Sequence, residues 1–442
     1  MDQDIKLKED KSKYPSWILW FLQILQLWLK IYDYLMYIPF VVFANPEQRL
    51  LRSRRVKAKP LGGEDRPDTP WRNSDHFDGL MKHCYQGCDT LDKLWDRAAL
   101  FYGPNNCLGT REILNVEQEK QPNGRIFEKY VQGDYEWLTY MEVSEIINEV
   151  GSGLLSMGVA PGDNVVIFSD TRADWMISAQ ACFRFKFTVV TVYSTLGEDA
   201  IAHAINETDS KTIFCSADLV PKIIKLLPQL TFLERLVYYD SLLPNFPPLD
   251  IDENKLDIPH GGKLQVMSFP DLQELGSQKQ LQPPVETSPE DLAVIMYTSG
   301  TTGLPKGVLI THANLVASTA AQSAVIPEIG PDDVYIGYLP LAHVLELGAE
   351  IACLSHGVSI GYSSPNTIHD QSSKIKRGTK GDCSVLKPTL LATVPAVLDR
   401  IYKAVADRVA RSSQFRQALF HFLYERKRAK IEEGYDNPFL NR

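Results

Sequence analysis

The stretch that decides the fold reads YTSGTTGLPKG and runs from Tyr297 to Gly307. It follows the apolar run Leu292–Met296 and precedes Val308–Ile310, and both runs are typical of strands. Glycines let a backbone approach an anion closely, successive N–H groups can surround a phosphate, and hydroxyls and a lysine add hydrogen bonds and charge. The stretch therefore predicts a polyphosphate-binding loop at a strand end, with a plain Ser/Thr/Gly surface turn as the alternative. Pro305 stands where a Walker A loop needs glycine, which argues against a P-loop NTPase.

Apolar runs and amphipathic helical patterns alternate along the rest of the chain. The predicted strands are Asn164–Phe168, Phe187–Tyr193, Lys211–Cys215, Val334–Leu339 and Leu390–Val394. The predicted helices are Ala173–Phe183, Glu198–Asn206 and a long helix that Pro395 opens. Such alternation forms βαβ units, so the sequence predicts an α/β fold with a parallel sheet. The polar and basic residues 363–384 predict a surface loop.

Composition narrows the class of protein. The chain has 442 residues, of which 44% are hydrophobic and 23% charged, as in ordinary globular domains. Its 46 Lys and Arg against 55 Asp and Glu leave a net charge of −9, which argues against nucleic acid as a partner. The 7 scattered cysteines predict free thiols in a reducing compartment.

The N-terminal segment has a different character. Two uncharged runs, Tyr14–Leu29 and Tyr34–Ala44, flank Lys30 and Asp33. They predict a membrane anchor over residues 1–48: a spanning helix, a hairpin that turns near the two charges, or a helix lying in the interface. A buried core helix is the alternative. The basic residues that follow, within the linker 49–80, predict a cytosolic body and attraction to anionic lipid. These residues are Arg49, Arg52, Arg54, Arg55, Lys57 and Lys59.

Two motifs carry a family resemblance. YTSGTTGLPKG resembles the AMP-binding signature of the adenylate-forming enzymes, and residues 338–346, YLPLAHVLE, are similar to the LPLxHxxE element of the same family. From about residue 49 onward the chain resembles the long-chain acyl-CoA synthetases, in particular the animal long-chain-fatty-acid–CoA ligases of type 3/4. The segments that carry this likeness are Gln86–Asp92, Arg172–Met176, Val334–Tyr338 and Gln371–Lys376.

The resemblance implies a ligase that activates a long-chain fatty acid with ATP and Mg²⁺ and passes the acyl group to CoA. The large AMP-binding domain would then occupy residues 81–442. His343 would lie beside the acyl carboxylate or the adenylate as the catalytic residue, with a core histidine as the alternative. Thr298 would lie nearest the metal, and Glu346 would help to hold the metal or bind a backbone N–H. The residues implied at the leaving phosphates are Thr298, Ser299, Gly300, Thr301, Thr302, Gly303 and Lys306.

The chain also departs from this family. Neither the Y-G-x-T-E element nor the ribose-binding T-G-D element occurs in the sequence. We therefore expect an incomplete N-terminal portion of a ligase, with little ligase activity alone. The alternative is a truncated, non-catalytic, membrane-anchored isoform that binds nucleotide or a full-length partner. A homo-oligomer stays open. The expected location is the endoplasmic reticulum membrane, with the lipid droplet, peroxisome and outer mitochondrial membrane as further options.

Overall fold

The structure, a computed structural model, describes residues 14–44, 51, 55–63, 65–66, 68–120, 124, 126–249, 251, 256–298, 305–326 and 328–432. The chain divides into two compact units, one of residues 1–80 with 393–442 and one of residues 81–392. Along the chain the elements are α1 (Ser16–Ala44), β1 (Ala58–Pro60), β2 (Trp71–Asn73), α2 (Leu91–Tyr102), β3 (Asn106–Lys120), β4 (Ile126–Thr139), α3 (Tyr140–Ser156), β5 (Asn164–Phe168), α4 (Ala173–Arg184), β6 (Thr188–Val192), α5 (Glu198–Glu207), β7 (Thr212–Ser216), α6 (Val220–Leu226), β8 (Arg235–Tyr239), β9 (Gln265–Ser268), α7 (Phe269–Lys279), β10 (Leu292–Thr298), β11 (Lys306–Thr311), α8 (His312–Val325), β12 (Val334–Gly337), α9 (Val344–Ser355), β13 (Ser359–Tyr362), α10 (Asp382–Leu386), α11 (Pro395–Ala410) and α12 (Gln414–Glu432).

A seven-stranded sheet organises the unit of residues 81–392. Its strand order is β11-β10-β6-β5-β7-β8-β9. Only the β10–β11 pair is antiparallel, and every other neighbouring pair is parallel. The predicted α/β fold with a parallel sheet is therefore confirmed, and the carboxyl ends of β10, β6, β5, β7 and β8 lie at one edge.

Both faces of this sheet are covered, because alternate residues of each strand enter different cores. Val165 and Ile167 of β5 belong to a core shared with α2, α3, α4, α8 and α9. Val166 and Phe168 belong to a second core on the other face, shared with α5 and α6. A strand buried on both faces has little room for charged residues, which explains why β5, β6 and β7 consist mainly of apolar and β-branched residues.

A second sheet has four strands in the order β12-β13-β3-β4. Strands β3 and β4 form a long antiparallel hairpin, while β12, β13 and β3 pair in parallel. The predicted strand Leu390–Val394 is wrong: Leu390 makes a single parallel bridge to Tyr335 of β12. Pro395 then starts α11, so the chain leaves the edge of the sheet before a ladder can form.

Residues 363–384 lack regular structure except at the start of α10, as the sequence predicts, but they are fixed to the β3–β4 hairpin. Ile375 forms a bridge with Tyr130, and the Lys374 ammonium donates to the Tyr130 hydroxyl at 2.6 Å. Deeper in, Asp382 forms a buried ion pair with Arg111 at 2.7 Å. The segment is thus part of the folded unit.

In the other unit, α1 is one continuous helix through Lys30 and Asp33. The hairpin interpretation of the N-terminal segment is therefore wrong. Asp33 has a partner on α12, where the Arg426 guanidinium lies 2.5 Å from its carboxylate. Phe415, close to the start of α12, contacts the rings of Trp17 and Phe21.

The spanning-helix interpretation of α1 is not supported either. Among the residues that the structure describes, no helix combines the length and the apolarity that a membrane crossing requires. Gln23 and Gln26 add polar side chains to the charges of Lys30 and Asp33 within α1, and these four residues lower its mean hydropathy.

Candidate functional site

The predicted phosphate loop leaves the seven-stranded sheet at its carboxyl edge. Thr298 is the last residue of β10, and Lys306 is the first of β11. The two residues lie directly opposite each other in the antiparallel register, and both are exposed. The structure therefore brings the two ends of the loop together. Ser299, Gly300, Thr301, Thr302 and Gly303 lie outside the described residues, and their phosphate contacts stay predictions.

Tyr297 fixes the base of this loop. Its side chain is buried, and its hydroxyl donates to the Glu207 carboxylate at 2.7 Å at the end of α5. Burial, reinforced by the negative charge of Glu207, raises the pKa of the Tyr297 hydroxyl, so this hydroxyl stays a donor. Gly307 passes close to the Tyr297 ring and to Ile295 on β10, and a Cβ there would contact Ile295 at 3.0 Å. The loop thus starts and ends on a rigid base.

The second motif, residues 338–346, lies at the same edge. The hydroxyl of Thr171, just after β5, donates to the Leu339 carbonyl at 2.6 Å and accepts from the Leu341 N–H at 2.9 Å. The hydroxyl of Thr191 on β6 donates to the Ala342 carbonyl at 3.3 Å. Because β6 is the parallel neighbour of β10, residues 339–342 are held at the strand next to the one that leads into the predicted loop. In open α/β sheets this edge is where ligands bind.

His343 caps the helix that follows. Its Nδ1 accepts the Leu345 N–H at 3.1 Å, at the first turn of α9, and its ring is exposed. An accepting Nδ1 assigns the proton of the neutral ring to Nε2, which can then act as a donor. This arrangement can present one hydrogen bond to an anionic group. The catalytic role of His343 stays a prediction.

Glu346 lies in a different environment from Thr298. Its side chain is fully buried, whereas Thr298 is exposed, and its Oε2 accepts from the Tyr335 hydroxyl at 2.8 Å. The structure therefore gives Glu346 an interior hydrogen bond, and we do not assign it to a metal. Within the described parts of the chain, no group of three His, Cys, Asp or Glu side chains could hold a metal ion.

Beside these motifs lies a cavity of about 350 Å³ with both polar and apolar walls, which the sequence motifs do not indicate. Asp170 and Ser216, from the carboxyl ends of β5 and β7, line it together with Asp218. The Asp170 carboxylate accepts from the Ser194 hydroxyl at 2.5 Å, and burial raises the pKa of Asp218. A signal for these residues exists in the sequence, because each polar side chain lies within three residues of the end of a predicted apolar strand.

Thr171 and Thr191 are two further site residues that no sequence motif marks. Thr171 follows β5 in the same way as Asp170, but nothing in the sequence relates it to Leu339, 168 positions away. Thr191 stands inside an apolar strand, where it reads as one more β-branched residue.

Comparison with known proteins agrees with this geometry. Residues 115–427 match the family of AMP-binding enzymes. Long chain acyl-CoA synthetase 8 of Arabidopsis thaliana is 40% identical over 351 residues, which are 79% of this chain and 48% of that protein. Long-chain-fatty-acid–CoA ligase 2 of Schizosaccharomyces pombe is 33% identical over 360 residues, covering 79% of this chain and 51% of the relative.

Solved structures support the fold. The adenylation domain of a carboxylate reductase from Mycobacterium chelonae aligns with a TM-score of 0.62 at 19% identity, covering 79% of this chain and 53% of that one. A putative long-chain-fatty-acid CoA ligase from Rhodopseudomonas palustris aligns with a TM-score of 0.53 at 20% identity, covering 71% and 65%. The chain spans about half the length of the curated relatives it matches. Its match over residues 115–427 and the α/β fold around the loop place the chain in the family of AMP-binding enzymes.

Proposed function

We propose that the chain carries the nucleotide- and acyl-binding part of a long-chain fatty acid:CoA ligase. The observation that supports this most is that Thr171 and Thr191 hold the segment 338–346 at the same sheet edge at which β10 leads into the predicted loop. ATP and a fatty carboxylate could meet there, and CoA would then accept the acyl group. The similarity to curated long-chain acyl-CoA synthetases agrees with this assignment.

Such a site has to reduce electrostatic repulsion, because a negatively charged carboxylate has to approach a negatively charged polyphosphate. Lys306 would supply positive charge beside the backbone N–H groups of the loop. Thr298 offers an exposed hydroxyl oxygen, which suits Mg²⁺, since this ion takes few protein ligands and several oxygens from phosphate and water. When bound, Mg²⁺ would neutralise phosphate charge. His343 would orient the carboxylate through Nε2.

Ligand binding to the full chain tests this proposal. The probes are Mg²⁺·ATP and a non-hydrolysable oleoyl-adenylate analogue, measured by titration calorimetry. We expect Lys306→Ala to weaken binding about 10- to 100-fold, because a hydrogen bond to a charged group is worth about 1.5–3 kcal/mol. Lys279→Ala, an exposed lysine at the end of α7, is the matched control. Equal binding by wild type and Lys306→Ala would contradict the proposed role of the loop.

We also propose that residues 1–48 attach the chain to a membrane surface through one face of α1. That face is rich in exposed apolar and aromatic side chains, namely Trp17, Trp20, Ile24, Leu27, Trp28, Ile31, Tyr34 and Leu35. The opposite face carries buried Ile18 and the Asp33 that pairs with Arg426. Trp and Tyr rings favour the headgroup region, and the basic linker that follows favours anionic lipid.

Vesicle sedimentation tests the membrane proposal. We expect the double variant Trp20→Gln, Trp28→Gln to bind vesicles of phosphatidylserine and phosphatidylcholine at least tenfold more weakly, because burying a large apolar side chain contributes about 1.5–3 kcal/mol. Trp71→Gln, an exposed tryptophan on β2, is the control. Binding that survives the double variant would contradict an interfacial α1. We propose the endoplasmic reticulum as the membrane, although two Arabidopsis relatives are named peroxisomal, and microscopy with both markers distinguishes them.

A further inference from the structure

Two carboxyl groups are buried side by side on α9. Glu346 and Glu350 are one helical turn apart, and neither is exposed to solvent. The Tyr335 hydroxyl donates to Oε2 of Glu346 at 2.8 Å, and the Tyr362 hydroxyl donates to Oε2 of Glu350 at 2.8 Å. The two tyrosines come from β12 and β13, so the pair joins α9 to both strands.

Among the described residues, the second oxygen of each carboxyl group lacks a side-chain donor, while the backbone N–H groups of Tyr338 and Leu339 lie near the Glu346 carboxyl and favour its charged form. Oε1 of Glu346 and Oε1 of Glu350 are both buried and accept no hydrogen bond from another group in the described structure. Their i,i+4 spacing on one buried face of α9 makes the two carboxyl groups neighbours. Neither forms an ion pair with a described Lys, Arg or His. Two buried negative charges in contact and without a cation would be very costly, so at least one of these groups has to be neutral.

A proton between the two Oε1 atoms satisfies both oxygens at once. One carboxylic acid then donates to the neighbouring carboxylate, and the pair carries a single negative charge that the two tyrosine hydroxyls solvate. Burial raises the pKa of both groups, and the charge of Glu346 raises that of Glu350 further, which agrees with a retained proton.

The surrounding packing is shaped for this pair. Gly337, at the end of β12, faces Oε1 of Glu350, and a Cβ at that position would lie 2.9 Å from this oxygen. A larger residue would therefore displace the carboxyl group. The site lies in the first two turns of α9, directly below the cap residue His343.

We propose that Glu346 and Glu350 share one proton through their Oε1 atoms, and that this pair is a positioning element that fixes the start of α9 and thereby His343. The proton-sharing part stands on the buried pair alone. The consequence for His343 as an acyl-site residue rests on the proposed function.

Infrared spectroscopy of the full chain tests the shared proton. We expect the wild type at pH 7 to show a carbonyl band of a protonated carboxylic acid. This band should be absent from the double variant that combines Glu346→Gln with Glu350→Gln. The difference spectrum isolates this pair from other acids, and the double variant keeps the size of both side chains. A wild-type spectrum at pH 7 without this band in the difference would overturn the proposal, whatever the stability of the variant.

Carbon-13 NMR of histidine-labelled chain tests the positioning role. His343→Gln assigns the His343 signal. We expect Glu346→Leu to shift this signal, because the Tyr335 contact is lost, and Glu346→Gln to restore the wild-type position, because an amide oxygen still accepts from Tyr335. Glu145→Leu, an exposed residue of α3, should leave the signal in place. An unmoved signal in Glu346→Leu, or no rescue by glutamine, would refute the positioning role.

Both measurements use the chain without nucleotide or fatty acid. Failure of ATP or oleoyl-adenylate binding would therefore refute the proposed function and leave the shared proton standing. Loss of the infrared band difference with intact ligand binding would refute the shared proton alone.

Discussion

His312 should make the stability of the chain depend on pH in a predictable way. This histidine is the first residue of α8 and is almost completely buried. Its Nδ1 accepts the Leu91 N–H at 3.2 Å, at the start of α2, and its ring meets Phe183 edge to face. The hydrogen bond needs an unprotonated Nδ1 and therefore the neutral ring. Burial accordingly lowers the pKa of His312 from 6.5 to about 4.

The direction of the effect follows from the proton count. Between pH 6.5 and about 4 the unfolded chain binds a proton at this histidine that the folded chain does not bind, so the free energy of unfolding falls as the pH is lowered. Each pKa unit corresponds to about 1.4 kcal/mol, which limits the loss to about 3 kcal/mol. Below pH 4 His312 is protonated in the folded state as well, so it no longer contributes to the pH dependence of stability.

Urea unfolding between pH 4 and pH 7 measures the effect, with wild type compared against His312→Gln. At pH 7 we expect the variant to be less stable by about 1–2 kcal/mol, because the contact to the α2 terminus is weakened. This gap should close and reverse toward pH 4, since glutamine does not titrate. His83→Gln, at an exposed histidine, is the control. A gap between wild type and His312→Gln that is constant over this range would refute the reasoning.

Two further predictions concern the stability of buried contacts: a helix–helix contact and an ion pair. In chemical denaturation, Gly276→Ala should lower the free energy of unfolding by at least about 3 kcal/mol, because the added Cβ would overlap the Glu149 carbonyl where α7 crosses α3. Gly197→Ala is the control and should be nearly neutral, because the space around Gly197 is open. Asp382→Asn should cost about 3–5 kcal/mol, because it leaves the Arg111 charge buried without its partner. Glu117→Gln, in a half-exposed pair with Lys376, should cost at most about 1 kcal/mol in the same unfolding assay.

The sequence predicts those strands of the seven-stranded sheet that are buried on both faces. The predicted strand Asn164–Phe168 coincides with β5, and Lys211–Cys215 is displaced by one residue from β7. Strands β3 and β4 escaped prediction because their outer halves are rich in charged and polar residues, with neither a continuous apolar run nor a regular alternation. The partners of such a hairpin are set by distant segments, and no local periodicity reports them.

In the candidate site, too, the sequence predicts the local motif but not the contacts between distant segments. The loop 298–306 is recognisable because its glycines, hydroxyls and lysine are contiguous. The anchoring of residues 339–342 by Thr171 and Thr191 is tertiary, since single hydroxyls from two strands determine it. The burial of Glu346 was equally out of reach, because a glutamate in the first turn of a helix ordinarily faces solvent.

The pairing of Arg111 with Asp382 has a consequence for the order of folding. The two residues are 271 positions apart, and the hairpin that carries Arg111 precedes the seven-stranded sheet in the chain, whereas β12, β13 and Asp382 follow it. During synthesis, β5 to β11 can close while the hairpin still lacks its sheet partners. We expect the docking of β13 and Asp382 onto the hairpin to be a late step, because these contacts join segments that are far apart in the sequence. A ribosome that stalls before residue 334 would leave the β3 edge unpaired.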